Sequence, residues 1–318
     1  MGGRHRRYGS RIGRVRSYRN ERRGFDVTDF AMRRLLPLLV LATALFAPGT
    51  SRAESEADLG SAADVSPNVG ASVTTTDGPV ASISDSSPHS SLRIGETLNF
   101  QIKWGVVPAG TATMSITEAK EVSGRPCLHV VATAVSNPVF DKVYPVRDQF
   151  ESFMDSSDLR SWAFKKHLRE GKFRRDQVVR SDHAAGKAYY HDGNSYDLTP
   201  GAYDVLSAFY YVRTLPLVDG DEYFLDSHSD KKNYPIRVTV HRRERVSVPA
   251  GTFDCVVVEP TLRSGDFFKN EGSLTIWLTD DERRMPVQMK SKIPVGSISV
   301  ELESFERPGI EKAGSAVR

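Results

Sequence analysis

Short runs of alternating apolar and polar residues dominate the chain from residue 91 to residue 306. In LNFQIKW, the apolar side chains of Leu98, Phe100 and Ile102 are separated by single polar residues, and TATMSIT repeats the pattern. A period of two is typical of a strand with one buried face. Short turns with glycine and proline, such as GVVPAG, join the runs. Because a parallel connection needs a dozen or more residues, this spacing predicts antiparallel pairing.

One stretch, DVLSAFYYVR at residues 204–213, has the spacing of a helix instead. Asp204 is suited to cap its first turn, and Pro216 prevents its continuation. The residues that recur at helical spacing are Leu206, Phe209, Tyr210 and Arg213. With roughly ten strands and this one helix, the sequence predicts a mainly β protein. We expect a curved antiparallel sheet or incomplete β-barrel that closes against one amphipathic helix.

The residues before this region have the layout of an export signal. MRRLLPLLVLATALFAPGTSRAES begins with a basic pair, continues with an apolar run over residues 35–46, and has small residues before a cut after Ala53. This layout predicts a signal peptide over residues 32–53, with a buried core helix as the alternative. The run is shorter than the roughly 20 residues of a membrane-spanning helix. We therefore expect no membrane-spanning segment once the signal is removed.

The remaining segments are assigned around this signal. Residues 1–31 contain nine arginines and three acidic residues. We expect this basic extension to lie outside the native protein or to be removed with the signal, with a nucleic-acid-binding arm as the alternative. Residues 54–90 are rich in small and polar residues and predict a disordered linker. Residues 91–306 are expected to form a single β-rich domain, followed by a disordered tail over residues 307–318.

The charge balance changes when the signal is removed. Residues 1–53 carry 12 of the 43 basic residues and 3 of the 40 acidic residues, so the remainder has a net charge of −6. The basic isoelectric point therefore belongs to the precursor. We expect no nucleic-acid partner for the mature protein.

Two cysteines, Cys127 and Cys255, lie in the apolar runs CLHVVATA and CVVVEP. In an oxidising compartment they could form a disulfide, and in these surroundings they could equally be buried free thiols. The sequence leaves both alternatives open. No C-x-x-C spacing is present, so a thiol redox function is not indicated.

No motif for catalysis or metal binding is found. Six histidines are scattered between residues 129 and 241 without an H-E-x-x-H pattern, and no G-x-S-x-G elbow occurs. We therefore assign no catalytic residue, no metal ligand and no cofactor.

Two sets of residues are candidates for contacts with a ligand or partner. The cationic hairpin around Arg174 and Arg175 could bind an anionic partner, or could be the solvated face of two strands. The aromatic candidates belong to the core first and to a ligand site second; they are Trp104, Trp162, Phe209, Tyr210 and Trp277.

Four stretches together resemble the bacterial domain-of-unknown-function family 3108. They are IGETLNFQIKWGVVPAGTATMSI, DVLSAFYYVRTLPL, VPAGTFDCVVVEP and IWLTDDERRMPVQMKSKIPVGSISVELESF. The resemblance implies an exported protein of a Gram-negative bacterium, located in the periplasm, and gives no catalytic residue to transfer. Asp204 and Arg213 look like recurring family features, for which a helix cap and an ion pair are the simplest interpretation.

A second similarity concerns IWLTDDERRMPVQMK followed by GSISVEL. These residues look like the strand, acidic turn and strand of periplasmic lipoprotein carriers, whose curved sheet surrounds a helix and holds acyl chains. The similarity is an analogy of fold only.

Three functional hypotheses follow. The first is a non-catalytic binding or carrier module for an apolar or envelope-derived ligand, which requires free apolar volume inside the sheet. The second is an envelope interaction module for a lipoprotein, another protein or a polysaccharide. The third is a hydrolase of envelope polymers, which requires carboxylates or histidines that converge in a cleft.

Overall fold

The computed structural model describes residues 89–264, 267–268, 274–292 and 296–309. The predicted basic extension, the predicted signal peptide and nearly all of the predicted linker lie outside these residues. The strands are β1 (Thr97–Trp104), β2 (Val107–Val122), β3 (Arg125–Ser136), β4 (Arg147–Asp155), β5 (Ser161–Glu170), β6 (Phe173–Asp182), β7 (Lys187–Tyr190), β8 (Ser195–Asp197), β9 (Glu222–Ser229), β10 (Lys232–Val248), β11 (Gly251–Ser264), β12 (Phe267–Phe268), β13 (Leu274–Thr279), β14 (Pro286–Lys292) and β15 (Ser297–Glu306). The helices are α1 (Pro138–Asp141) and α2 (Val205–Val212).

The strands form one sheet in the order β8-β7-β6-β5-β4-β3-β2-β1-β15-β14-β13-β11-β10-β9, with β12 paired to β11. Neighbouring strands are antiparallel, as in the pairs of β1 with β2 and with β15. No ladder joins β8 to β9 among the described residues, so the sheet is curved but not closed into a barrel. The predicted fold class is confirmed.

Two details differ from the sequence prediction. The described residues contain fifteen strands rather than roughly ten. Among the strands that the sequence did not reveal are β8 and β12, which have only three and two residues. The described residues also contain a second helix, α1, in the proline-bearing stretch between β3 and β4. Its N-cap Asn137 accepts hydrogen bonds from the amides of Val139 and Phe140, and proline is favourable at the first helical position.

Alternation places the apolar residues of β1 inside the sheet. Leu98, Phe100 and Ile102 are fully buried. Phe100 lies opposite Ala112 on β2 and Leu302 on β15, so the same inward face continues across neighbouring strands. Burial of each large apolar side chain stabilises the fold by about 1.5–3 kcal/mol.

Helix α2 fills the space that the curved sheet encloses. All of its residues except Tyr211 are buried, including Ser207. A helix that is surrounded on nearly all sides must be apolar on nearly all sides, and VLSAFYYV meets this requirement. The carboxylate of Asp204 begins the helix by accepting hydrogen bonds from the amides of Leu206 (2.8 Å) and Ser207 (2.9 Å).

The two ends of the open sheet meet through a seam of side chains and one short backbone contact. The hydroxyl of Tyr190 on β7 lies 2.9 Å from Nε2 of His228 on β9. Asn233 on β10 donates to the carbonyl of Asp197 on β8 at 2.9 Å. The backbone of Tyr203 forms a single parallel bridge with Ser227. Contacts of individual side chains thus replace the ladder that would complete a barrel.

The C-terminal end of α2 is held by a buried guanidinium. Arg213 donates to both carboxylate oxygens of Glu96, at 2.7 and 3.0 Å, and neither side chain is exposed. Its other hydrogen bonds go to the carbonyls of Ser91, Arg283 and Arg284. This arrangement connects the helix to the segment before β1 and to the turn between β13 and β14.

Arg307 adds to the same cluster. Its guanidinium lies 3.4 Å from Glu96 and donates to the carbonyl of Ser90 at 2.8 Å. Only 4% of Arg307 is exposed. The placement of the tail boundary at residue 307 is therefore wrong, because this residue packs into the folded body. The boundary of the linker at residue 90 needs the same correction, since the carbonyl of Ser90 belongs to this cluster.

We predict that Arg213→Met lowers the free energy of unfolding by about 3–5 kcal/mol, because Glu96 would stay buried without its main partner. The matched control is Arg245→Met. Arg245 lies 3.7 Å from Asp254 on the surface and is 73% exposed, so its replacement should cost less than about 1 kcal/mol. Urea unfolding measures both values, and equal losses would contradict the role of Arg213.

Candidate functional site

An apolar cleft lies between α2 and the strands on one side of the sheet. Its lining residues are Val205, Ala208, Phe209 and Val212 from α2, and Leu225, Ile236, Val238, Val258, Pro260, Leu274, Ile276 and Leu278 from β9, β10, β11 and β13. The free volume is about 30 Å³, which is room for about two water molecules. The lining contains no polar side chain, so the cleft suits an apolar group.

Polar residues surround the N-terminal end of α2. A second cavity, of about 10 Å³, is lined by residues that include Ser161, Gln177, Asp204, His228 and Asp230. The buried Asp204 accepts a hydrogen bond of 2.5 Å from the hydroxyl of Ser152. Burial raises the pKa of Asp204. The interior therefore has a polar region at the N-terminal end of α2, apart from the apolar cleft.

Buried ionisable residues extend this polar region to β4 and β5, where apolar residues such as Phe150 and Leu168 share the inward faces. Asp148, Lys166 and Glu170 are each 3–5% exposed. Burial and the neighbouring Asp148 raise the pKa of Glu170 to about 8. Burial lowers the pKa of Lys166, although its Nζ lies 2.7 Å from a carboxylate oxygen of Asp230.

The sequence analysis missed the pair Asp148 and Glu170, which lie on separate strands. The spacing along each strand could have identified them. Asp148 is two residues from the buried Phe150 on β4, and Glu170 is two residues from the buried Leu168 on β5, so each carboxyl group points to the same inward face as its apolar neighbour. Neither the apolar cleft nor the second cavity is lined by this pair. The two carboxyl groups interact with each other without lining either of these cavities, so the hydrolase hypothesis gains no site from these cavities.

The aromatic candidates are dispersed, and only Phe209 lines the apolar cleft. Tyr210 is fully buried, with the guanidinium of Arg213 5.0 Å from its ring centre. Trp104 packs edge to face on Phe140. Trp162 and Trp277 lie in separate clusters outside the main core, where Trp162 contacts Arg125 and the indole N–H of Trp277 donates to Glu244.

The side chains of Arg174 and Arg175 point to opposite faces of the sheet, as those of consecutive strand residues do. Arg175 reaches Asp230 at the seam, at 2.9 Å. Arg174 is exposed and donates to the carbonyls of Gly171 and Phe173. The two arginines therefore do not form a single cationic site.

Both cysteines are buried free thiols. Cys127 packs with Val122 and Phe153, whereas Cys255 packs with Val257 and Trp277 in another cluster. The alternative of a disulfide between them is therefore wrong, because they lie in different clusters of the sheet. Burial raises the pKa of each thiol to about 12.

A polar cluster also lies on the outer face of the sheet. Nδ1 of His129 is 3.0 Å from the hydroxyl of Thr117, and its Nε2 is 3.1 Å from Glu151. The imidazole stacks on the ring of Phe153 at 4.5 Å. These residues lie on the same face of neighbouring strands, so cross-strand pairing accounts for the cluster.

The model of DUF3108, a protein family of unknown function, matches residues 99–303. The chain belongs to this family. The comparison with curated proteins gives no match.

Several solved structures are similar to the chain. One is a β-barrel-like protein of the DUF1849 family from Brucella abortus, with 9% identity, a TM-score of 0.48, and coverage of 68% of this chain and 98% of that one. Another is a proposed lipoprotein from Parabacteroides distasonis, with 14% identity, a TM-score of 0.31, and coverage of 67% and 95%. A proposed exported protein with a YmcC-like fold from Bacteroides fragilis has 14% identity, a TM-score of 0.26, and coverage of 68% and 97%.

Two general features of the DUF3108 chain bear on its chemistry. In the part of the chain that the structure describes, no group of three or more His, Cys, Asp or Glu residues is placed to hold a metal ion. Within the same residues, no helix is both long enough and apolar enough to cross a membrane.

We predict that the two thiols react with Ellman's reagent only after unfolding, because burial suppresses their thiolate forms. The folded chain should show no rapid reaction, and the chain in denaturant should show both thiols. A fast reaction of either thiol in the folded chain would contradict its burial.

We also predict that Glu170 makes stability depend on pH. Its pKa is raised in the folded chain, so its contribution to stability is complete below about pH 4.5 and is lost as the pH rises through about 8. Glu170→Gln keeps a neutral side chain at every pH. Between pH 6 and pH 9, the wild type should lose on the order of 2 kcal/mol more than this variant.

Urea unfolding at the two pH values measures this difference. The control is Glu121→Gln, which alters an exposed glutamate of β2 and should leave the pH dependence of the wild type unchanged. Equal pH dependence of the wild type and Glu170→Gln would show that Glu170 is not the responsible group.

Proposed function

We propose that this DUF3108 protein is a non-catalytic binding module of the cell envelope, which holds an apolar part of its ligand in the cleft beside α2. The observation that carries the proposal is the lining of that cleft, in which every side chain is apolar. Water gains no hydrogen bonds in such a site, so apolar groups are its natural occupants.

The size of the cleft defines what it accepts. A free volume of about 30 Å³ is too small for a whole acyl chain. The ligand therefore inserts the end of a chain or a small apolar group, and a larger group must displace a side chain. Phe209 is the largest residue in the lining and is 8% exposed, so it is the side chain that gives way.

The helix itself is a poor candidate for movement. Asp204 holds its N-terminal end through Ser152, and Arg213 holds its C-terminal end through Glu96. Breaking buried, charge-assisted hydrogen bonds costs more than rotating one aromatic ring. Binding therefore leaves α2 in place and rearranges the cleft around Phe209.

The predicted export signal supports a location in the envelope. The layout of residues 32–53 satisfies the requirements for a secretory leader. An exported β-rich module in this compartment meets acyl chains of lipids and lipoproteins, which are apolar groups of the required kind.

We predict that Phe209→Ala increases the affinity for N-phenyl-1-naphthylamine, a small apolar fluorescent probe, by about tenfold, because it enlarges the cleft. The variant should also lose about 3–5 kcal/mol of stability. Phe150→Ala is the matched control. Phe150 is fully buried in the core but does not line the cleft, so this variant should lose similar stability without the gain in affinity.

A complementary variant tests the same site in the opposite direction. Ala208→Leu fills part of the cleft and should weaken binding of the probe relative to the wild type. The measurement is the probe fluorescence at a temperature where circular dichroism shows every variant to be folded. Equal affinity in all four proteins, or a gain in Phe150→Ala as large as in Phe209→Ala, would sink the proposal.

A further inference from the structure

Three connections lie side by side at one end of the sheet. They are the β1–β2 turn (105–106), the segment between β3 and β4 (137–146) and the β5–β6 turn (171–172), which meet because β1 to β6 are consecutive antiparallel neighbours. Hydrogen bonds join them. The amide of Asn137 donates to the carbonyl of Ala109 at 2.9 Å, and the amide of Gly171 donates to the carbonyl of Pro145 at 2.8 Å.

These connections, together with the first residues of β2 and β6 beside them, expose large apolar side chains. We call the five that protrude there the apolar rim: Val106 (91% exposed), Val107 (52%), Val139 (69%), Val143 (64%) and Phe173 (48%). They are five of the eight large apolar side chains that are exposed among the described residues. Their concentration on adjacent turns distinguishes the rim from the scattered exposed residues of an ordinary surface.

The other end of the same strands is different. The β2–β3 turn there is Ser123 and Gly124, and Val122 beside it is buried. The β4–β5 turn contains Leu159, which is fully buried although its neighbours are polar. The fold can therefore bury apolar residues in its turns, and at the apolar rim it does not.

Cationic residues accompany the apolar rim. Lys142, Lys172 and Arg174 are exposed on the same connections, and none of the three forms an ion pair with another described residue. The nearby acid, Asp141, is engaged by Arg147 at 2.6 Å and by the hydroxyl of Ser136. The rim thus presents apolar side chains together with positive charge that its own acids do not neutralise.

We propose that the apolar rim docks on the surface of an anionic phospholipid bilayer. The valines and Phe173 would lie at the boundary between headgroups and acyl chains, while the three cations contact the anionic headgroups. A polysaccharide is a poorer partner, because valine side chains offer it no hydrogen bonds. The side chains stand on separate turns rather than in a groove, which suits a fluid surface.

The test is a local probe of the apolar rim in the full chain. Val139→Cys labelled with the fluorophore NBD should shift its emission to the blue when vesicles of phosphatidylglycerol and phosphatidylethanolamine are added. The control label is at Phe224→Cys, which is 70% exposed on β9 away from the rim and should not respond. Both native thiols are buried, so the label is confined to the new cysteine.

The three cations beside the apolar rim allow a second test. Reversal of Lys142, Lys172 and Arg174 to glutamate should raise the vesicle concentration for half-maximal response at Val139→Cys by about 100-fold, since each cation near an anionic surface contributes about tenfold or less. Neutral phosphatidylcholine vesicles should give a correspondingly weak response.

Four outcomes would overturn the proposal. One is a label at Val139→Cys that stays in water with anionic vesicles, and another is an equal response at Phe224→Cys. The third is a response that charge reversal leaves unchanged, and the fourth is a response that only a protein or polysaccharide produces. None of these readouts depends on the apolar cleft, so docking and ligand binding can fail separately.

Discussion

The buried ion pair between Arg213 and Glu96 is the constraint on which the rest of the structure depends. A helix inside a curved sheet cannot satisfy its terminal polar groups with water, so both ends need partners from the protein. Asp204 supplies the partner at the N-terminal end, and the amides of Thr214 and Leu215 donate to the carbonyls of Tyr211 and Val212 at the C-terminal end. The side chain of Arg213 then ties that end to Glu96 and to three carbonyls of other segments. Because these contacts come from the segment before β1 and the β13–β14 turn, they set the position of α2 within the sheet.

With α2 in place, the interior contains two regions of different chemistry. One buries Asp148, Lys166 and Glu170 among apolar residues of β4 and β5, and the other is the apolar cleft. Charges in a low-dielectric interior are costly unless they are paired, so the region around these ionisable residues gains little stability from them. The apolar cleft has no such restriction. Packing leaves free volume there beside Phe209, which makes the cleft the region that can accommodate a ligand.

The sequence was sufficient for the fold but not for the site. Alternation at Leu98 to Ile102 predicts a strand because one buried face needs only local information, and Asp204 and Pro216 bracket α2 for the same reason. The inward carboxyl groups of Asp148 and Glu170 interrupt the apolar pattern of their own strands. Their proximity to each other follows only from the pairing of β4 with β5. The free volume of the cleft depends on how twelve side chains from five elements pack together, and no local pattern records this.

The register of the sheet relates the apolar rim to the cleft. Val107 lies opposite Trp104, Trp104 opposite Ile298, Ile298 opposite Ser291, and Ser291 opposite Leu274. Leu274 lines the cleft, so one corner of the cleft lies at the same end of the sheet as the apolar rim. The buried Asp148 and Glu170 also lie near this end, because Asp148 is the second residue of β4 and Glu170 is the last residue of β5. An apolar group that passed between β4 and β5 would meet these charges, whose desolvation opposes its passage, so a route from the rim to the cleft is favoured along β15 and β14 instead.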